Sequence, residues 1–224
     1  NHWLVGISID GPQEYHDHYR VTPAGKPSWE KVMQGIQLLK KHRVEWNAMA
    51  VVNAYNAEHP LEFYHFFRDN GCQYLQFTPI VERLTEHEDG RTLASLADDR
   101  EIPLADASVT PQQWGNFLCT IFDDWVRHDV GKTFVEIFDC TLANWMVVLP
   151  GICAYSKECG HAGVMEHNGD VYSCDHFVFP EYKLGNIREQ SLIDMLYGEK
   201  QQAFSRLKHT SLTHHCKESD IEFA

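Results

Sequence analysis

Three unevenly spaced cysteines carry the clearest chemistry in this chain: Cys153, then five residues, Cys159, then fourteen residues, Cys174. The first two lie on a stretch flanked by Gly151 and Gly160. The third ends the return strand of an expected hairpin, Gly163 to Cys174, which turns at Asn168-Gly169. Asn-Gly suits a type I′ turn, in which both central residues take positive φ. Soft thiolates converging from a loop and a hairpin hold zinc or an iron–sulfur cluster in small domains. The spacing lacks the paired CxxC knuckles usual for zinc, and three unrelated thiols are the plainer alternative. Cys216, after His214-His215, reads as a zinc fragment or as a polar tail. Asp175, directly after Cys174, reads as a carboxylate that caps a turn or bonds a nearby backbone N–H. Cys72, Cys119 and Cys140 are far apart and read as buried thiols, since free cysteine packs as a small hydrophobe.

The elements that position these groups follow from periodicity and punctuation. Trp3 to Ile9 is a short apolar run closed by Asp10-Gly11-Pro12, a strand and a turn. Ser28 is placed to cap a helix from Trp29 to about His42, with Val32, Ile36 and Leu39 on one face. Val44 to Val52 reads as a strand, Pro60 to Asn70 as a helix stopped by Gly71, and Cys72 to Ile80 as a third strand. Strands alternating with helices imply a parallel sheet with right-handed crossovers. Residues 82–108 are polar and read as a loop or lid. Thr110-Pro111 opens a helix to about His128, in the favoured order of cap then proline. Lys132 to Phe138 reads as another strand and Thr141 to Val148 as a short helix. Short helices are expected at about 191–197 and 199–207, and a domain boundary near 150.

Composition bounds the class. The chain has 224 residues, 43% hydrophobic and 23% charged, which is ordinary for a globular protein. Lys plus Arg is 19 and Asp plus Glu is 32, a net charge of −13. So acidic a body repels phosphate backbones, which disfavours nucleic acid. No run approaches the length of a membrane-spanning helix and no leader is visible, so no membrane partner and a cytoplasmic location are expected. An odd count of seven cysteines argues against a secreted disulfide framework. The opening Asn1-His2-Trp3, inside an apolar run, reads as a cut in a longer chain.

Gly163-Val164, then His167-Asn168-Gly169-Asp170-Val171-Tyr172-Ser173-Cys174-Asp175-His176-Phe177, then Tyr182-Lys183-Leu184-Gly185-Asn186-Ile187, resembles the SPASM auxiliary-cluster domain of anaerobic sulfatase-maturating enzymes. These are radical S-adenosylmethionine (SAM) enzymes. Gly6-Ile7-Ser8-Ile9-Asp10-Gly11, with Glu14, His16-Asp17 and Tyr19-Arg20, is similar to the fourth-strand region of the same family. Gln73-Tyr74-Leu75-Gln76-Phe77 resembles its sixth-strand segment.

The resemblance implies an α/β fold: the later strands of a partial (β/α)6 radical SAM barrel over 1–150, then an incomplete SPASM domain over 151–224. It implies SAM contacts at Ser8 and Arg20, and at Leu75 through its backbone. Cys153, Cys159 and Cys174 would ligate a first auxiliary [4Fe–4S] cluster, whose fourth ligand lies beyond Ala224 in the family pattern. Cys216 would begin a second cluster, but Ser219 stands where the family has its next cysteine, and serine is a poor iron ligand. Asp175 would be the catalytic base. The implied reaction is the oxidation of a Cys or Ser in a sulfatase polypeptide to Cα-formylglycine, with an electron donor such as flavodoxin or ferredoxin. The Cx3Cx2C motif of the SAM-cleaving cluster does not occur among these residues, so the 224 residues alone are expected to be inactive. Two rivals stand beside this reading: another radical SAM/SPASM peptide-modifying enzyme, and a non-catalytic zinc-binding regulatory module.

Overall fold

The computed structural model describes residues 4–87, 90–93 and 101–219. The chain divides into two compact units, Asn1–Phe138 and Asp139–Ala224. In chain order the first unit holds β1 (Val5–Ser8), α1 (Gln13–Tyr19), α2 (Trp29–Lys41), β2 (Trp46–Val52), α3 (Pro60–Asp69), β3 (Tyr74–Pro79), β4 (Leu84–His87), β5 (Gly90–Leu93), α4 (Pro111–His128) and β6 (Phe134–Val135). Helix α5 (Glu136–Trp145) crosses into the second unit. There follow β7 (Val164–Met165), β8 (Asp170–Tyr172), β9 (Lys183–Asn186), α6 (Leu192–Tyr197), α7 (Glu199–Thr210) and α8 (His214–Lys217).

The first unit is an α/β layer structure on a parallel sheet of order β1-β2-β3-β6. Ile7 pairs with Ala48, Ala48 with Leu75, and Leu75 with Val135. Trp46, Ala48, Ala50 and Val52 are buried at every second position of β2, the period of a strand. Phe63 on α3 lies at its centre. Its ring centroid is 5.4 Å from that of Phe67, 6.1 Å from Phe77 on β3 and 5.5 Å from Phe117 on α4. Offset and edge-on aromatic contacts add to simple burial, so this cluster fixes the helix layer to the sheet.

Helix ends show where local signals held. Thr110 and Gln113 form a capping box on α4: Thr110 Oγ1 accepts from the Gln113 N–H, and Gln113 Oε1 accepts from the Thr110 N–H at 3.0 Å. At α2 the expected Ser28 cap does not form. The Asp17 carboxylate accepts from the N–H groups of Ser28 and Trp29, at 2.8 and 2.9 Å. A carboxylate at a helix N-terminus also meets the positive end of its dipole, which frees the Ser28 hydroxyl for other partners.

Three helices end in the same way, and two do so against their sequence. After α3 the Gly71 N–H bonds Arg68 O, the Cys72 N–H bonds Phe67 O, and Gly71 has φ of +68°. This is the Schellman ending, which favours glycine. After α2 the left-handed position is Arg43, φ 54°, and after α5 it is Val147, φ 58°. A β-branched residue there is strained by about 1–2 kcal/mol. Val147 is 94% exposed, so its side chain packs on little that would offset the strain. Val147→Gly is therefore expected to stabilise the chain by about 1 kcal/mol in urea denaturation. Unchanged or lower stability would contradict the strain.

Further expectations need correction. Cys119, expected among the buried thiols, is exposed on α4, while Cys72 and Cys140 are buried. Residues 82–108 are not a plain loop, since β4 and β5 pair antiparallel within them; residues 88, 89 and 94–100 lie outside the described residues. The strand expected over Lys132 to Phe138 is only Phe134–Val135, and α5 begins at Glu136. Val135 is buried as the last residue of the strand, and Phe138 is buried from the first turn of the helix. The helix expected to start at Thr141 is thus the second half of α5, ending at Trp145. The β7–β8 hairpin does not turn on a type I′ pair, because among the described residues of that turn only Gly169 has positive φ, +89°. The Gly169 N–H bonds Glu166 O and the Glu166 N–H bonds Asp170 O. That is a three-residue loop with a left-handed glycine at its end.

Candidate metal centre and strand-end site

In the second unit, β7, β8 and β9 form an antiparallel sheet backed by α6. Val171, Leu184 and Met195 are its buried apolar centre. Lys183 Nζ and Asn186 Nδ2 from β9 both reach Asp170 Oδ1 on β8, at 2.6 and 2.8 Å. They hold that carboxyl below its usual range, Lys183 first. The hairpin end is thereby fixed, and with it Cys174, two residues past β8.

The other two cysteines sit on the segment before β7. Cys153 opens a short 3₁₀ turn, Cys153–Tyr155, and is exposed; Cys159 and Cys174 are half-buried. Cys153 acts on each of the other two. Burial pushes the thiols of Cys159 and Cys174 up, and the charge of Cys153 adds to both shifts. Helix α7 joins the pieces. Gln201 Nε2 donates to Gly160 O at 3.0 Å and to Ser173 O at 3.3 Å. Ser205 Oγ donates to Cys159 O, and the Cys159 N–H donates to Ser205 O at 3.2 Å. Lys208 Nζ donates to the carbonyls of Cys153, Ala154 and Ser156, the last two at 2.6 Å.

Asp175 is exposed beside the thiol. Cys174 Sγ donates to its Oδ1 at 3.3 Å, and His176 Nδ1 lies 3.2 Å from the same oxygen. The thiol hydrogen bond is the main reason its carboxyl sits below the usual range. Among the described residues the one group whose ligand atoms all lie within 4.8 Å of one another is Cys174, Asp175 and His176. Thiolates on one zinc stand only about 3.8 Å apart, as bonds of about 2.3 Å in a tetrahedron require. The trio Cys153, Cys159 and Cys174 is therefore spread more widely than a single ion needs. Three soft donors are the ligand type of a polynuclear iron–sulfur cluster, whose thiolates cap separate irons. Cys216 stands apart on α8, exposed, with Thr213 Oγ1 3.2 Å from its sulfur. Sequence reading missed Lys208, Ser205, Gln201 and His176. The first three occur at i, i+4 and i+7 of one helix, a pattern that reads as a solvated face.

In the first unit, Ser8 is exposed at the carboxyl end of β1, where ligands of open α/β sheets bind. Arg20 follows α1, and its Nε donates to Asp10 Oδ2 at 2.6 Å. Asp10 is 2% exposed, and its other oxygen accepts from the Val51 N–H at 2.8 Å. The carboxylate thus fixes Arg20 to the ends of β1 and β2, with the guanidinium side chain 32% exposed. Leu75 is buried inside β3, a core leucine as to its side chain. The structure brings Ser8 and Arg20 to the strand ends and keeps Leu75 within the ladder.

Below Arg20 runs a buried polar chain. The Asp10 N–H donates to His16 Nδ1 at 3.2 Å, so Nε2 carries the proton toward Ser28 Oγ at 3.0 Å, and that hydroxyl donates to Arg20 O at 2.6 Å. His16 is 1% exposed, and burial is the main reason it holds a proton less readily than usual. Its folded pKa is lowered, so its stabilisation is complete above the unfolded value of about 6.5 and is lost as pH falls through the folded value. The chain is expected to weaken below about pH 6.5 by up to about 1.4 kcal/mol per pH unit from this group. Denaturation at several pH values should show a shallower slope for His16→Asn. An unchanged slope would contradict the assignment.

Comparison with known proteins finds relatives that span both units. Residues 157–218 match SPASM, an iron–sulfur cluster-binding domain. Over all 224 residues the chain is 66% identical to a serine-type anaerobic sulfatase-maturating enzyme of Bacteroides thetaiotaomicron, covering 54% of that protein. Over 220 residues it is 31% identical to a cysteine-type anaerobic sulfatase-maturating enzyme of Clostridium novyi, covering 96% of this chain and 55% of that one. The solved structure of native anSMEcpe with bound AdoMet superposes with a TM-score of 0.82 at 26% identity, over 98% of this chain and 56% of that one. The chain spans about half the length of the curated relatives it matches. With the parallel α/β layer and the cysteine-bearing hairpin unit both in place, the chain is similar in sequence and in fold to about half of an anaerobic sulfatase-maturating enzyme.

Proposed function

We propose that this chain serves an enzyme that oxidises a serine or cysteine of a sulfatase polypeptide to Cα-formylglycine. Residues 1–150 supply the later strands of the SAM barrel, and residues 151–224 the auxiliary iron–sulfur domain. The observation that carries the reading is the gathering of Cys153, Cys159 and Cys174 around α7, with Asp175 adjoining the third thiol. The far higher identity to the serine-type relative favours serine as the residue modified.

Bound SAM with its reducing cluster supplies hydrogen abstraction, and an auxiliary [4Fe–4S] centre supplies an electron acceptor. The chain's own residues bind, orient and move a proton. Ser8 and Arg20 hold SAM at the strand ends, Arg20 being aimed by Asp10. Cys153, Cys159 and Cys174 hold the auxiliary cluster. Asp175 accepts the proton of the substrate hydroxyl or thiol. Thiolate ligation removes the Cys174 proton, which frees Asp175 Oδ1 from its present donor. The electron donor is a small redox protein of the flavodoxin or ferredoxin kind. Among the described residues no helix is long and apolar enough to cross a membrane, and we assign the enzyme to the cytoplasm.

The 224 residues alone, given SAM and dithionite, are expected to release no 5′-deoxyadenosine, because they lack Cx3Cx2C. Release of that product would overturn the division of labour. The Cys174–Asp175–His176 group keeps one alternative in view, a single-ion regulatory module. Iron with acid-labile sulfide in the purified full-length protein supports the enzyme; zinc without sulfide supports the module.

A further inference from the structure

Helix α7 presents Gln201, Ser205 and Lys208 on one face, and each bonds a backbone carbonyl next to a cluster cysteine. Gln201 is fully buried and its Nε2 serves two carbonyls, which fixes the orientation of the amide. Its Oε1 has no donor, a cost of about 1–3 kcal/mol in a buried group. The amide is kept although it is poorly satisfied, as expected of a group that joins the cysteine loop to the hairpin.

Lys208 makes the strongest of these contacts. Its ammonium has three hydrogens, and the carbonyls of Cys153, Ala154 and Ser156 accept from it. These carbonyls belong to one turn, which starts at a cluster cysteine. Without the ammonium they would face one another with no common donor, and the turn would relax toward solvent. The same bonds hold the positive charge against the backbone of Cys153 itself, within the turn that carries that thiol. A thiolate-ligated cluster carries net negative charge that grows on reduction, and hydrogen bonds and charges beside the sulfurs set its potential.

We propose that Lys208 is a positioning residue for the three-cysteine cluster, clamping the Cys153–Ser156 turn and placing one positive charge beside the thiolates. The proposal rests on the cluster reading above. By the clamp it slows loss of iron, and by its charge it raises the cluster's midpoint potential, which eases acceptance of an electron.

The test uses the full-length enzyme, anaerobically reconstituted, in four forms: wild type, Lys208→Met, Lys208→Gln and Lys208→Arg. Iron and sulfide are assayed over time, and the auxiliary cluster's potential is read by titration followed by electron paramagnetic resonance. Lys208→Met is expected to lose auxiliary iron about tenfold faster, the lower end of the usual effect of a residue supporting a metal ligand. Its potential is expected to move to more negative values. Lys208→Arg, which keeps charge and donors, restores both. Should the methionine variant lose the cluster outright, Lys208→Gln carries the potential measurement, since it keeps donors without charge. Wild-type iron retention and potential in the neutral variants would overturn the role of Lys208. Replacing Cys153, Cys159 and Cys174 together by serine separates the two claims. If that change removes no cluster, the site reading itself fails; if it removes one while the lysine variants stay normal, only the role of Lys208 fails.

Discussion

Replacing Asp175 with asparagine in the full-length enzyme is expected to cut formylglycine formation about 10²–10⁴-fold, the usual contribution of a positioned base. Iron content and SAM cleavage are expected to stay at wild-type levels. Asp175 follows Cys174 directly, so cluster ligation would fix its backbone. It is exposed, where an aspartate carboxyl ionises well below neutral pH, and ligation of Cys174 leaves its Oδ1 free of the thiol donor. It is ionised at neutral pH and able to accept a proton. Asparagine keeps the shape and the hydrogen-bonding reach but does not take the proton. A structural role predicts the opposite pattern: near-normal product from the asparagine variant, or loss of iron and product together. Product yield by mass spectrometry of a sulfatase peptide decides between them.

Phe63→Ala is expected to cost about 3–5 kcal/mol of folding stability, as for other large buried aromatics. That is a large share of the roughly 5–15 kcal/mol that holds a typical domain together. Phe63 is fully buried and touches Phe67, Phe77 and Phe117, so one truncation loosens α3, β3 and α4 at once. Urea denaturation of the chain measures it. A loss below about 1 kcal/mol would show that the sheet and its helices do not share this core.

The strand–helix alternation of the first unit was legible because strong punctuation bounds each element. Thr110-Pro111 and Gly71 mark helix ends by backbone chemistry that acts within a few residues. The region from Lys132 onward was less legible. An apolar run as short as Phe134 to Phe138 satisfies strand and helix periods alike, and the folded chain divides it, Phe134 and Val135 pairing with β3 and Phe138 packing from the first turn of α5. At Ser28 a distant carboxylate, Asp17, took the capping role, and local sequence carries no sign of that competition. Asn168-Gly169 announced a hairpin correctly but not its loop length, since both loop types use glycine in the left-handed region.

At the candidate site the cysteines and Asp175 were legible because thiols and a following carboxylate are chemically conspicuous. Their supports were not. Gln201, Ser205 and Lys208 look like the wet side of a helix, and only the folded chain shows three carbonyls converging on one ammonium. The role of Asp10 was hidden in the same way. It stands in a turn in sequence, yet it is a buried acceptor that aims Arg20.

The claim on which the rest depends is that Cys153, Cys159 and Cys174 share one iron–sulfur cluster. Its direct test is iron and sulfide analysis, with Mössbauer spectroscopy, of the anaerobically reconstituted full-length protein and of its Cys153→Ser, Cys159→Ser, Cys174→Ser variant. The account predicts that the triple variant loses one cluster, about four irons and four sulfides, while the remaining iron signal is unaltered. Identical iron and sulfide in the two proteins, or zinc in place of iron at these cysteines, would contradict it.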